Sequence, residues 1–209
     1  MKMERFESVP NRESGGAATA NLGHRLGGSG SQSDNTIQSL RNTIERVADS
    51  GFKYWEFDVH ESADGVLFTF HDDEIESDGQ MIPVKTLTFA EIHECGKELG
   101  ISIPTLAEVV EELKERPEPT RIEIKNLMTD QARQMVIDVT KGHSDWKLMA
   151  SIRRFEISFP KKSRRHWHSQ VKMVGTELVR VRRHEIDLFN ASKTGIHWIF
   201  SKLKWKLGY

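Results

Sequence analysis

The feature that most constrains this chain is its order of periodic segments: short apolar runs of strand length alternate with amphipathic stretches of helical spacing. Ile37, Leu40, Ile44 and Val47 recur at helical intervals, with Asp34 or Asn35 placed to cap that helix and Gly51 to end it. Phe52 to Val59 then reads as an aromatic-rich strand and Val66 to Phe70 as a second, with Asp64-Gly65 as the turn between them. A link this short holds no helix, so it is either a hairpin or a very tight crossover. A hairpin centred on Asp64-Gly65 would set Asp58 opposite His71. Thr88-x-x-Glu91 and Thr105-x-x-Glu108 fit the capping box and open two further helices. Arg121 to Lys125 is a strand, Gln131 to Lys141 a helix and Lys147 to Ile152 a strand. Weaker strand signals follow at Leu178 to Val181 and Ile186 to Phe189. The alternation predicts an α/β domain with a largely parallel sheet.

Composition narrows the class. The 209 residues suffice for one domain, and 37% hydrophobic with 29% charged residues is an ordinary globular balance. A single cysteine, Cys95, forms no internal disulfide. Met1 to about Ala18 reads as a flexible lead-in without an apolar run of signal or membrane-span length, so a cytoplasmic setting is expected. Residues 19–209 then form the single domain. The formal net charge of −1 hides an asymmetry. Residues 1–140 carry 14 basic against 26 acidic residues, a net of −12, and residues 141–209 carry 16 against 5, a net of +11. An acidic half suits a cation site, and a basic half suits an anionic partner.

Polar residues fall where the strands are expected to end. His24-Arg25 follow a first candidate strand ending at Leu22; Glu56 and Asp58 lie near the end of the next; His71-Asp72-Asp73 follow the third; Glu123 and Lys125 close the fourth. Polar groups at strand C-termini converge on one mouth of an α/β barrel. Glu56 and Asp58, two apart on a strand, share a face. With Glu123 they make an oxygen-only set suited to Ca²⁺ or Mg²⁺ rather than zinc. His24 and His71 can divide general acid and general base work, and Arg25 and Lys125 can hold a phosphate oxygen. Each of these residues alone reads more simply as a surface ion pair or a strand cap. The other seven histidines, His60 among them, have no such context and read as structural.

As an ordered series, Gly23-His24-Arg25, Asp34-Asn35-Thr36, Glu56-Phe57-Asp58-Val59, Asp64-Gly65, Phe70-His71-Asp72-Asp73, Leu87-Thr88, Ile103-Pro104-Thr105-Leu106-Ala107-Glu108-Val109 and Ile122-Glu123-Ile124-Lys125 resemble the glycerophosphodiester phosphodiesterase family of phospholipase-C-like phosphodiesterases. The resemblance covers about residues 20–127. It implies a TIM-type (β/α) barrel that hydrolyses glycerophosphodiesters to glycerol 3-phosphate and an alcohol. In that picture His24 and His71 are the acid/base pair, and Glu56, Asp58 and Glu123 hold the divalent ion. Arg25 and Lys125 contact phosphate, Asn35 supports the site, and residues 74–99 are an insertion covering the pocket. Leu26 stands where the family usually has glycine, and Asp34 where it usually has glutamate. The C-terminal half lacks the family's Trp-Thr segment, so a shortened or irregular barrel is expected there.

Two other readings use the same residues. The segment Ile196 to Leu207, with Trp198, Trp205 and the lysines at 193, 202, 204 and 206, offers a surface for an anionic membrane. That would suit a lysophospholipase D-type enzyme acting on lysophospholipids. A non-catalytic relative that only binds a ligand is the third reading. The basic run Lys161 to Arg165 reads as exposed loop rather than a nucleic-acid surface. Sequence does not set the oligomeric state.

Overall fold

The computed structural model describes residues 21–174 and 178–181. In chain order the elements are α1 (Ile37–Thr43), β1 (Trp55–Glu61), β2 (Leu67–Thr69), β3 (Glu74–Ser77) and β4 (Gln80–Pro83). These are followed by α2 (Phe89–Glu98), α3 (Leu106–Leu113), β5 (Thr120–Asn126), α4 (Asp130–Asp138), β6 (Trp146–Ser151), α5 (Ile152–Ser158), α6 (Arg164–Met173) and β7 (Leu178–Val181). One sheet runs β2-β1-β5-β6-β7, and β3 pairs with β4 in a separate hairpin. Strands β1, β5, β6 and β7 are parallel, each joined to the next by a helix-containing crossover. This is the β/α order of a TIM-type barrel. Within the described residues it comprises four parallel strands and one antiparallel edge. The expected elements at 1–18, 186–189 and 196–207 lie outside the described residues. The stretch ending at Leu22 is described only from Asn21, where it turns rather than forming a strand.

Strand alternation decides which face holds the core. Trp55, Phe57 and Val59 on β1, Ile122 and Ile124 on β5, and Leu148 and Ala150 on β6 are fully buried. They pack with Leu106, Val109 and Leu113 of α3, Val136 and Ile137 of α4, Phe155 of α5 and Trp167 of α6. Burying side chains of this size contributes roughly 1.5–3 kcal/mol each before conformational entropy is charged. The opposite face carries Glu56, Asp58, Glu123 and Lys125, so the sheet is apolar toward the helices and ionic toward the interior. Residues 74–99 hold a smaller second core, with Ile75, Val84, Ile92 and Cys95 packed around Phe68 of β2 and Ile103.

Several sequence expectations need correction in detail. The β1–β2 link is a hairpin, but its register pairs Val59 with Thr69 and Glu61 with Leu67, which places Asp58 opposite Phe70 rather than His71. The cause is a three-residue loop: Ser62 N–H donates to Val66 O (3.0 Å), leaving Ala63, Asp64 and Gly65 at the tip, with Gly65 at φ +83°. Neither Asp34 nor Asn35 caps α1. Thr36 does so, its hydroxyl accepting from Ser39 N–H at 3.2 Å. The run at 161–165 is not all loop either. Arg164 opens α6, is 8% exposed, donates from Nε to Phe159 O (3.1 Å) and lies over the Phe155 ring at 5.1 Å. Trp167 is likewise buried. Both capping boxes, at Thr88 and Thr105, form as expected.

Gly27 ties the loop carrying His24 and Arg25 to α1. Its φ is +83°, and a Cβ there would meet Thr43 Oγ1 at 2.2 Å. Gly30 has a similar φ of +79° with open space around it. Gly27→Ala is therefore expected to lower the unfolding free energy by about 2 kcal/mol or more, and Gly30→Ala by about 1 kcal/mol. Urea denaturation of both variants checks this.

Candidate active site

The acidic cluster follows from strand register. Glu56 and Asp58 leave the same face of β1, and the parallel pairing of β1 with β5 sets Glu123 beside Asp58. Carboxylate oxygens of the three lie within 4.8 Å of one another. Glu56 and Asp58 are each 1% exposed and Glu123 9%. The nearest cation is Lys125, one alternation further along β5 and 2% exposed. Its Nζ lies 2.7 Å from Asp58 Oδ1 and 3.2 Å from Glu123 Oε1. One ammonium thus faces three carboxylates. Glu56 Oε2 accepts from the Arg25 backbone N–H at 2.9 Å, while its buried Oε1 has no hydrogen-bond partner among the described residues. Burial first, and the Asp58 charge second, push the Glu56 carboxyl up to about 8, against the pull of the Arg25 amide. An all-oxygen, buried, anionic donor set with one oxygen unpaired fits a hard divalent cation.

The His24-Arg25 loop is held over this cluster by unusual backbone. Arg25 and Leu26 both adopt left-handed geometry, at φ 52° and 55°, in a 3-10 turn over His24–Gly27. Leu26, in the family's glycine position, takes the conformation that favours glycine and is fully buried. His24 Nε2 lies 3.5 Å from Glu56 Oε2, and Nδ1 lies 2.8 Å from Ser29 Oγ. Burial, then the Arg25 charge, draws the His24 imidazolium below its ordinary range. Asn35 clamps the other side. At φ 59° its Nδ2 donates to Asp58 Oδ2 (2.8 Å), its Oδ1 accepts from Asp58 N–H (3.0 Å), and its carbonyl accepts from Thr69 Oγ1 (2.8 Å).

His71 arrives by a different route from the one expected. It does not sit at the C-terminal end of a parallel strand; the antiparallel β2 carries it back alongside the middle of β1. There its Nδ1 lies 2.6 Å from Asp72 Oδ1, and its Nε2 lies 2.6 Å from Arg25 Nη2. A guanidinium only donates, so Nε2 is the acceptor and the ring proton sits on Nδ1, facing Asp72. Arg25 Nη1 also donates to Asp34 Oδ2 at 2.6 Å. Arg25 therefore connects Glu56, Asp34 and His71. All eight residues singled out in the sequence lie in one constellation: His24, Arg25, Asn35, Glu56, Asp58, His71, Glu123 and Lys125. Lys125 differs from expectation in its partners, since two of its three N–H donors face carboxylates and only the third remains for a phosphate.

Sequence reasoning gave no role to Ser29, to Asp72 as the partner of His71 Nδ1, or to Arg154. Arg154 grips Asp73 through its two terminal guanidinium nitrogens, at 2.6 and 2.8 Å, and this hydrogen bonding holds the Asp73 carboxyl below the usual range. Asp72 could have been found from its adjacency to His71. Ser29 and Arg154 carry no such signal. Among the described residues no helix is long and apolar enough to cross a membrane.

The state of Glu56 has a measurable consequence. Its folded value of about 8 lies above the ordinary 4.5. Between those values the cation-free folded protein keeps a proton that the unfolded chain has released, so stability falls as pH rises through that window and levels off above it. Glu56→Gln removes this slope. Urea melts in chelator at several pH values between about 5 and 8 check it, and an equal slope in both proteins refutes it.

The match with known proteins agrees with this geometry. The glycerophosphoryl diester phosphodiesterase family model matches residues 24–184. No curated protein matches the chain significantly. Among solved structures, a Galdieria sulphuraria protein assigned to the glycerophosphodiester phosphodiesterases is 18% identical, with a TM-score of 0.55 over 83% of this chain and 70% of that one. A Parabacteroides distasonis glycerophosphoryl diester phosphodiesterase is 19% identical, with a TM-score of 0.51 over 84% and 59%. Another from the same organism is 21% identical, with a TM-score of 0.50 over 75% and 69%. These likenesses show the fold, and the chain spans between 59% and 70% of those three structures. With the family model covering most of its length, the chain belongs to the glycerophosphoryl diester phosphodiesterase family.

Proposed function

We propose that the chain hydrolyses glycerophosphodiesters to glycerol 3-phosphate and an alcohol, with Ca²⁺ or Mg²⁺ held by Glu56, Asp58 and Glu123. The observation that carries this reading is the buried carboxylate trio with its unpaired Glu56 oxygen. A cation held by those three carboxylates would supply Lewis acidity toward the phosphate. Arg25 and Lys125 add N–H donors that offset charge as it builds on the phosphoryl oxygens. His71, with Nε2 as acceptor and Asp72 behind Nδ1, is the base that takes the nucleophile's proton. To do so it exchanges the Arg25 guanidinium for the nucleophile, which frees Arg25 for the phosphate. His24, whose ring lies beside Glu56, delivers a proton to the leaving alkoxide. The nucleophile is water or a substrate hydroxyl adjacent to the phosphate, the latter giving a cyclic phosphate first. Asn35 fixes Asp58 through its paired hydrogen bonds. In this reading residues 74–99 form a wall of the pocket and take part in choosing the alcohol.

The lysophospholipid and membrane reading rests on residues 196–207, outside the described residues, and no described feature favours it. The non-catalytic reading leaves the buried carboxylates and both histidines without a purpose.

Glycerol 3-phosphate release, followed with a coupled assay over several glycerophosphodiesters, tests the proposal. Chelation should abolish release and Ca²⁺ or Mg²⁺ restore it; release that survives EDTA refutes the cation assignment. His24→Ala and His71→Ala should each lower kcat by about 10²- to 10⁴-fold while urea denaturation stays close to wild type. Wild-type turnover in either variant refutes its acid/base role.

A further inference from the structure

The loop that carries His71 is anchored unevenly. Before it, Phe70 N–H donates to Asp58 O at 3.2 Å and ties the loop to β1. After it, the Asp73 carbonyl accepts from Val84 N–H at 2.9 Å. Val84 belongs to the small second core, so that bond fixes the loop to the 74–99 insertion rather than to the parallel strands. Between these anchors the Asp72 side chain is 70% exposed, yet its carboxylate lies 2.6 Å from His71 Nδ1. Water is a ready alternative partner for so exposed a carboxylate, so the pairing lasts only while the backbone aims it. Arg154 supplies the second tie to the sheet. Its own N–H donates to Ser151 Oγ at 3.3 Å, where β6 ends and α5 begins. Its Nη1 and Nη2 each take one Asp73 oxygen, at 2.6 and 2.8 Å, and Nη1 lies 3.4 Å from the Lys125 carbonyl. A two-pronged pair of this kind fixes orientation as well as distance.

We propose that Arg154 is a positioning residue: by clasping Asp73 it holds the backbone of His71 and Asp72 against the sheet, so that Asp72 stays behind His71 Nδ1. The consequence for turnover rests on the phosphodiesterase reading above, whereas the clasp's control of the His71–Asp72 pair does not. Asp73 directly follows Asp72, so freedom at one passes to the other through a single peptide unit. A reacting group misplaced by about 1 Å costs on the order of 10²-fold in rate. Direct phosphate binding by Arg154 is the competing role. Both terminal nitrogens are already on the Asp73 carboxylate, so that fork is not open to a phosphate. Loss of Arg154 is therefore read in kcat and not in KM.

Steady-state kinetics and proton NMR of wild type, Arg154→Ala, Arg154→Lys, Asp73→Ala and the Arg154→Ala/Asp73→Ala double variant test this. Arg154→Ala should lower kcat about 10- to 100-fold with KM within about twofold of wild type. Asp73→Ala, at a side chain 57% exposed and so safe for folding, should do the same. The double variant should fall no further than the worse single one, because both remove one interaction. Arg154→Lys keeps the charge and one contact and should recover part of the loss. The spectroscopic readout needs no turnover. In ¹⁵N-histidine-labelled wild type the His71 Nδ1–H, assigned by its absence from His71→Ala, should resonate downfield. It should weaken or vanish in Arg154→Ala and Asp73→Ala and return in Arg154→Lys. If wild type hydrolyses no diester, the phosphodiesterase reading fails and this resonance alone decides the clasp. Wild-type kcat in both single variants, a loss carried by KM, or an unchanged His71 resonance in both overturns the proposal.

Discussion

Three carboxylates share a buried volume with a single ammonium, and the surrounding structure can be understood as the means of keeping them there. Isolated burial of one such charge is expensive, and burial of three together is tolerable only with a cation or a proton among them. Lys125 satisfies Asp58 and Glu123 in part, and Glu56 responds by holding a proton well above the ordinary carboxylate range. The same imbalance that raises Glu56 suits the cluster to the divalent ion proposed for it. Electrostatic cost and function are therefore two aspects of one arrangement.

The scaffold supports that arrangement with backbone rather than with further charge. Left-handed residues at Arg25, Leu26 and Asn35 turn a loop back over β1, so that the Arg25 amide meets Glu56 and the Asn35 amide grips Asp58. Such conformations cost about 1–2 kcal/mol per non-glycine residue. They persist here because Leu26 is fully buried in the helix-side core and Asn35 makes several buried hydrogen bonds. On the far side, Glu61 at the end of β1 accepts from the backbone N–H groups of Met128 and Thr129, anchoring the segment after β5. The Arg154–Asp73 pair spans from α5 to the loop after His71.

Much of this was readable from the residues. Strand periodicity at Glu56-Phe57-Asp58 put two carboxylates on one face, and Ile122-Glu123-Ile124 offered the third on the same logic. The capping boxes marked α2 and α3 correctly because their signal is local. What sequence could not convey depends on geometry at a distance. A three-residue rather than two-residue turn at Asp64 shifted the hairpin by one position, which changed the neighbour of Asp58. Asn35 looked like a helix cap because nothing nearby reveals that Asp58 takes its amide. Arg164 looked exposed because a charged run is usually solvated, whereas here its side chain lies over Phe155 and donates to a buried carbonyl.

The central claim is that Glu56, Asp58 and Glu123 act together as one divalent-ion site. Anomalous diffraction from crystals soaked in Mn²⁺, a stand-in for Mg²⁺ or Ca²⁺ that scatters more strongly, addresses it without reference to turnover. A single anomalous peak at roughly 2.0–2.6 Å from oxygens of all three carboxylates is the predicted result. No peak there, or one bound elsewhere while the cluster retains only Lys125, would contradict the account.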